Sequence, residues 1–188
     1  MADIVGILLA AGAATRFGSN KLLHPLSDGT PIAVASVRNL RAALPRVVAV
    51  IRPGAFELQE LLRRESAEVT VCERAEEGMG TTLAHAVRAS RDADGWVIAL
   101  ADMPFIRPET IRRVVERLTA GATIVAPAWR GERGHPVGFA ARFGGDLERL
   151  AGDAGARELL KGARTTVELV DTDDPGILRD IDRPEDLA

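Results

Sequence analysis

Apolar residues in this chain fall into short unbroken runs, separated by longer stretches in which they recur every three or four positions. Ile4 to Leu9, Val47 to Ile51, Val69 to Cys72 and Trp96 to Ala101 have the length and β-branched content of strands buried on both faces. Between them, Pro31 to Leu44, Phe56 to Arg64, Thr81 to Ser90 and Pro108 to Leu118 carry helical spacing. Proline opens the first and last of these helices, and Pro45 closes the first. Strand–helix alternation of this kind predicts an α/β fold with a mostly parallel sheet covered on both sides. After Ala122 the pattern changes. Thr123 to Trp129, Pro136 to Ala140 and Val167 to Val170 read as strands, separated by glycine-rich turns and a short helix near Gly155 to Leu160. This predicts a mixed sheet with an antiparallel tail portion. No linker, repeat or low-complexity segment divides the chain, so residues 1–188 read as one domain.

Composition narrows the partners. Net charge is −3 and no Lys/Arg run occurs, which argues against nucleic acid as the main partner. Aromatics make up 4% and Tyr is absent, so no platform for stacking single-stranded bases is available. The single cysteine, Cys72, excludes an internal disulfide or a cysteine-ligated metal cluster, and its place in a predicted strand marks it as inert core. No run of about 18 apolar residues exists to span a membrane, and no basic n-region precedes the first apolar run. A cytoplasmic protein is the expectation.

In open parallel sheets ligands sit beyond the carboxyl ends of the strands, so the residues just after each strand deserve the chemistry. The first such loop is Ala10-Ala11-Gly12-Ala13-Ala14-Thr15-Arg16-Phe17-Gly18-Ser19-Asn20-Lys21. Its small residues let backbone N–H groups approach a ligand, and Arg16 and Lys21 add positive charge, as a triphosphate cradle requires. The same residues also suit a flexible loop with two solvated cations. The spacing is neither a P-loop nor a G-x-G-x-x-G fingerprint. A second glycine loop, Gly78-Met79-Gly80-Thr81-Thr82, opens a helix, and alone it reads equally well as a cap. Asp102 ends an apolar strand and is followed by Met103-Pro104, a placement that suits metal binding beside phosphates. Near the end, Asp180 and Asp182 flank Ile181 in a strand-like alternation that points both to one side. Gly134-His135-Pro136 lies in a turn, where a lone histidine also suits a turn residue.

Leu9-Ala10-Ala11-Gly12-x-x-x-Arg16-x-Gly18-x-x-Lys21-Leu22-Leu23 resembles the signature of the nucleotidyltransferase superfamily, and within it the molybdenum cofactor cytidylyltransferase family. Ala11-Gly12 is similar to the cytidylyl branch, whereas the guanylyl branch shows two glycines there. Ala14 stands where the branch usually carries Ser. The resemblance extends through Gly78 to Leu83, Asp102-Met103-Pro104, Gly134-His135-Pro136, Gly152-Asp153-Ala154-Gly155-Ala156 and the ending Asp180 to Asp186.

The resemblance implies a Rossmann-like three-layer sandwich of the GT-A-like nucleotidyltransferase type. It implies that Leu9, Ala10, Ala11 and Gly12 contact base and ribose, with Gly78 and Thr82 lining the same site. Arg16 and Lys21 would contact the phosphates, and Asp102 and Asp180 would hold Mg²⁺, with Asp182 as the alternative second ligand. Gly134, His135 and Pro136 would line the acceptor pocket, and Arg157 would hold an anion on the acceptor side. The implied reaction moves CMP from CTP to the phosphate of the molybdopterin cofactor, for delivery to a molybdoenzyme. Three rival readings remain at this point. One is a nucleotidyltransferase using GTP or another acceptor, such as a sugar phosphate or alcohol phosphate. The others are a dinucleotide-binding oxidoreductase and a non-catalytic cofactor chaperone.

Overall fold

The computed structural model describes residues 2–12, 20–153, 155–156, 159–160 and 166–187. Within them the chain alternates as the apolar pattern predicts. Strand β1 (Ile4–Leu9) leads to helix α1 (Ile32–Arg41), then β2 (Val47–Ile51), α2 (Phe56–Arg64), β3 (Glu68–Val71), α3 (Met79–Ala89), β4 (Gly95–Leu100) and α4 (Pro108–Thr119). The second half holds β5 (Ile124–Trp129), β6 (Glu132–Arg133), β7 (Val137–Ala140), α5 (Gly144–Glu148) and β8 (Glu168–Asp171). Helix α1 stops at Arg41, short of the predicted Leu44. Proline disfavours helical backbone in the residue before it, and Ala42 to Leu44 instead form a turn that buries Leu44 against the core.

The strands form one eight-stranded sheet. Strands β1 to β4 are mutually parallel in the order β3-β2-β1-β4. The antiparallel strand pairings all involve a strand after Ala122, as the sequence predicts, but the last strand departs from that pattern. Strands β5 and β8 pair parallel with each other, and only β7 and β6 run against their neighbours. Strand β5 pairs with β8 along one side, so β6 and β7 share the other side. They are two halves of one strand, and their register against β5 steps by two residues across the interruption Gly134-His135-Pro136. Gly134 stays in the ladder, its N–H donating to the Pro127 carbonyl of β5 (2.9 Å), while the step turns His135 away, its N–H donating to the Ile177 carbonyl (3.0 Å), as a β-bulge does beside many active sites.

The alternation of β1 distributes its side chains to two cores. Ile4 and Leu8 pack with Leu40, Leu62, Ile111 and Val114 beneath α1, α2 and α4. Val5 and Ile7 pack with Leu83, Val87, Phe139 and Leu147 beneath α3 and α5. The result is the expected three-layer α/β sandwich. Phe139 is fully buried in the second core and meets Phe143 edge-on at 5.8 Å. Phe139→Ala should therefore cost about 3–5 kcal/mol, read as a lower urea midpoint with an unchanged m-value. Cys72 is buried one residue beyond β3 and belongs to this same core. No helix among the described residues is long and apolar enough to cross a membrane.

Candidate active site

The carboxyl ends of β1, β2 and β4 open onto one cleft of about 670 Å³. Asp102 enters it two residues past β4. Its loop is fixed from three sides. Ala101 N–H donates to the Leu9 carbonyl (3.0 Å), the buried Ser36 hydroxyl donates to the Ala101 carbonyl (2.8 Å), and the Asn39 amide donates to the Pro104 carbonyl (2.8 Å). Ser36 and Asn39 both come from α1, so that helix acts as a clamp on the Asp102 turn.

Lys21 opens a short 3₁₀ turn anchored by the buried Leu22. Its ammonium lies 2.9 Å from Asp102 Oδ2 and 3.2 Å from Asp182 Oδ1. Burial pulls the lysine pKa down, but hydrogen bonds and charge from Asp102 and Asp182 outweigh it and raise the pKa above its usual value. Lys21 is therefore a fixed cation at neutral pH.

Asp102, Asp180 and Asp182 each place one carboxylate oxygen so that all three lie within 4.8 Å of one another. The segment around Ile181 is not a strand. What brings its two aspartates to Asp102 is Ile181 itself. Its side chain is fully buried, and its N–H donates to the Asp102 carbonyl at 2.9 Å. The turn that follows is closed by Asp186, whose carboxylate accepts from the N–H groups of Asp182 and Arg183.

Upstream, Asp174 anchors the same strap. It is 1% exposed and accepts from the Arg107 N–H, the Thr110 hydroxyl and the Gly176 N–H at 2.7–3.0 Å. These bonds tie the strap to the start of α4. Asp174→Ala leaves those donors unsatisfied, and a loss of ~3 kcal/mol is expected. A lower thermal midpoint together with weakened divalent-cation binding is the result to look for.

Across the cleft, Gly78 has a φ of +119°, and an added Cβ would fall 2.6 Å from the Gly152 carbonyl oxygen. Only glycine fits there. It lets residues 152 and 153 pack on the first turn of α3, where Gly80 N–H donates to the Gly152 carbonyl (2.7 Å). Thr82 is 4% exposed and its hydroxyl donates to the Met79 carbonyl, so it offers a ligand an acceptor lone pair. Leu9, Ala11, Gly12, Lys21, Gly78, Thr82, Asp102 and Asp182 all line the cleft. Ala10 does not, because it is buried and its N–H serves the Val50 carbonyl.

A second pocket of about 210 Å³ adjoins the cleft through Leu100, and Asp180 lines it. Gly134 and His135 line it with Arg133, Met103, Ile177 and Leu178. Gly134 is again required by contact, since a Cβ would strike the Ile177 backbone. Pro136 differs from expectation. It is buried at the entry to β7, joined to His135 by a cis peptide, and does not line the pocket. Asp153, in the Gly152-Asp153-Ala154-Gly155-Ala156 segment that carries part of the resemblance, lines the large cleft. Arg16, Ala14 and Arg157 lie outside the described residues.

The profile of the MobA-like NTP transferase domain matches residues 6–169. The chain belongs to the MobA-like NTP transferase family. It is 32% identical over 194 residues to the purine catabolism protein PucB of Bacillus subtilis strain 168, covering 97% of this chain and 93% of that protein. Its fold is similar to the crystal structure of Rv0371c from Mycobacterium tuberculosis H37Rv, with a TM-score of 0.84, 30% identity, and coverage of 98% and 95% of the two chains. A structure of Rv0371c in complex with manganese is also similar (TM-score 0.80, 28% identity, 98% and 95% coverage).

As a MobA-like NTP transferase, the protein is a nucleotidyltransferase. Its cleft offers cations, carboxylates and strand-end backbone, an inventory suited to positioning and charge neutralisation at phosphorus. Arg52, Pro53 and Glu76 also line the cleft and went unread in the sequence. Arg52 is the first residue past β2, so the strand-end rule that singled out Asp102 reaches it too.

Proposed function

We propose that this nucleotidyltransferase moves CMP from CTP to the terminal phosphate of the molybdopterin cofactor and releases pyrophosphate. The observation that carries the reading is the position of Lys21 with Asp102, Asp180 and Asp182 at the junction of two adjoining pockets. A nucleotide in the large cleft and an acceptor in the small pocket would meet there.

In this reading Leu9, Ala11 and Gly12 hold the base and ribose from one wall and Gly78 and Thr82 from the other. Lys21, with Arg16, neutralises the triphosphate. Gly134 and His135 receive the acceptor, and Arg157 binds an anion beside it. A phosphomonoester acceptor is largely dianionic at neutral pH, its second pKa being about 6, so its oxygen needs no general base. That oxygen forms a bond to the α-phosphorus as the bond to the bridging oxygen of the β-phosphate breaks, and pyrophosphate leaves with the electron pair. What the reaction needs is cancellation of repulsion between two anions. Three carboxylate oxygens grouped within 4.8 Å fit a hard divalent cation such as Mg²⁺, with Asp102 and Asp180 as ligands and Asp182 beside them. A cation bound there supplies charge neutralisation of the triphosphate and acceptor. The similarity to a protein whose structure holds manganese supports this cation site.

The choice of CTP rests on the Ala11-Gly12 pair, and the choice of acceptor on the resemblance around Gly134-His135-Pro136. Delivery of the product to a molybdoenzyme in the cytoplasm follows from the same reading. Pyrophosphate release measured with CTP, GTP, ATP and UTP, each with Mg²⁺, with and without molybdenum-loaded molybdopterin, tests it. Release with CTP that requires the pterin is expected. Release with GTP would overturn the base, and release with a sugar phosphate or alcohol phosphate in place of the pterin would overturn the acceptor.

A further inference from the structure

Among the described residues, a cation of the protein's own lies against the carboxylate trio. The Lys21 ammonium bonds both Asp102 and Asp182, and its side chain is only 12% exposed. It therefore sits on the two carboxylates that border the nucleotide cleft, while Asp180 lines the neighbouring pocket. A divalent cation and an ammonium compete for such oxygens, because each offsets the same negative charge and their mutual repulsion forbids close co-occupancy. Lys21 also lines the cleft that receives the triphosphate.

We infer that Lys21 is an internal counter-ion that keeps the divalent-cation position closed until a nucleoside triphosphate arrives. The polyphosphate draws the ammonium away from Asp102 and Asp182, and the metal then takes its place at the trio. Metal and nucleotide thus bind in synergy, and by linkage each raises the other's affinity by the same factor. This refines the cation site of the proposed function and is independent of which base or acceptor is used. It gives the enzyme a reason not to hold free metal tightly in the absence of substrate. It also assigns Lys21 two successive partners, the carboxylates first and the phosphates second.

Binding of Mn²⁺ alone to the full-length protein is the test, followed by the loss of the free-ion electron paramagnetic resonance signal. Lys21→Met should bind Mn²⁺ at least tenfold more tightly than the unmodified protein without nucleotide. CTP should tighten Mn²⁺ binding more in the unmodified protein than in the variant. Arg52→Met removes a charge from the same cleft without touching the trio, and should change Mn²⁺ affinity less than twofold. Equal or weaker Mn²⁺ binding by Lys21→Met would overturn the inference. An equal gain in Arg52→Met would also overturn it, since the effect would then be one of general charge. If neither protein bound Mn²⁺ with CTP, GTP, ATP or UTP present, the cation site itself would fall. Failure of pyrophosphate release with CTP, by contrast, would leave this inference standing.

Discussion

Asp102→Asn should lower the turnover number roughly 1,000-fold, the scale of losing one preorganised charge at a reacting phosphate. The substitution keeps the shape of the side chain and removes its charge. It strips Lys21 of its nearer partner and leaves the acidic trio with two members. The hydrogen bonds that build the turn do not involve the Asp102 side chain. They run from Ala101 to Leu9, from Ser36 to Ala101 and from Ile181 to the Asp102 carbonyl. The fold should therefore survive, with a thermal midpoint shifted by less than ~4 °C. A variant that keeps its structure and more than a tenth of its turnover would remove Asp102 from the chemistry.

Lys21→Met should also reduce turnover by about 1,000-fold, as loss of a cation on a transferring phosphoryl group does. Its second effect has the opposite sign, since the same variant should gain affinity for divalent cation. A structural defect would lower both quantities together. Catalysis that falls while metal binding rises can come only from a lysine that serves the phosphates in the reaction and the carboxylates at rest. The pH response has a definite direction as well. The folded-state pKa of Lys21 lies above its unfolded value, so its contribution to stability is complete below about 10.5 and fades as pH rises through the folded pKa. Between pH 6 and 9 Lys21 should leave no titration in the rate profile.

The layers of the fold were legible because the apolar code is dense. Strands Ile4–Leu9 and Val47–Ile51 and helix Phe56–Arg64 begin and end where the pattern says. What escaped was short or irregular. Strand β6 is two residues, Glu132 and Arg133, too few for any alternation to register. Helix α5 opens with two glycines and spans five residues, so its sequence carries turn chemistry rather than helical spacing. The antiparallel tail portion is present in the interrupted β7 and β6, yet the last strand, β8, runs parallel to β5. Strand direction depends on tertiary partners that apolar periodicity does not encode.

The site divides in the same way. Asp102 and Lys21 could be read because each follows a strand or its loop. Asp180 and Asp182 could be read because they flank an apolar residue. Asp174 could not, since it stands in Asp171-Thr172-Asp173-Asp174, where each acid looks equally solvated. Only contact with Arg107, Thr110 and Gly176 distinguishes the buried one. Arg52 escaped because a single surface charge carries no signal until the cleft places it.

The most direct measurement follows the phosphorus atoms. Incubating the protein with Mg²⁺, molybdopterin and CTP labelled at either the α- or the γ-phosphate shows which bond is cut. The account predicts that α-label appears in the acceptor product and γ-label in pyrophosphate. Transfer of γ-label to the acceptor, or its release as inorganic phosphate, would contradict nucleotidyl transfer at this site.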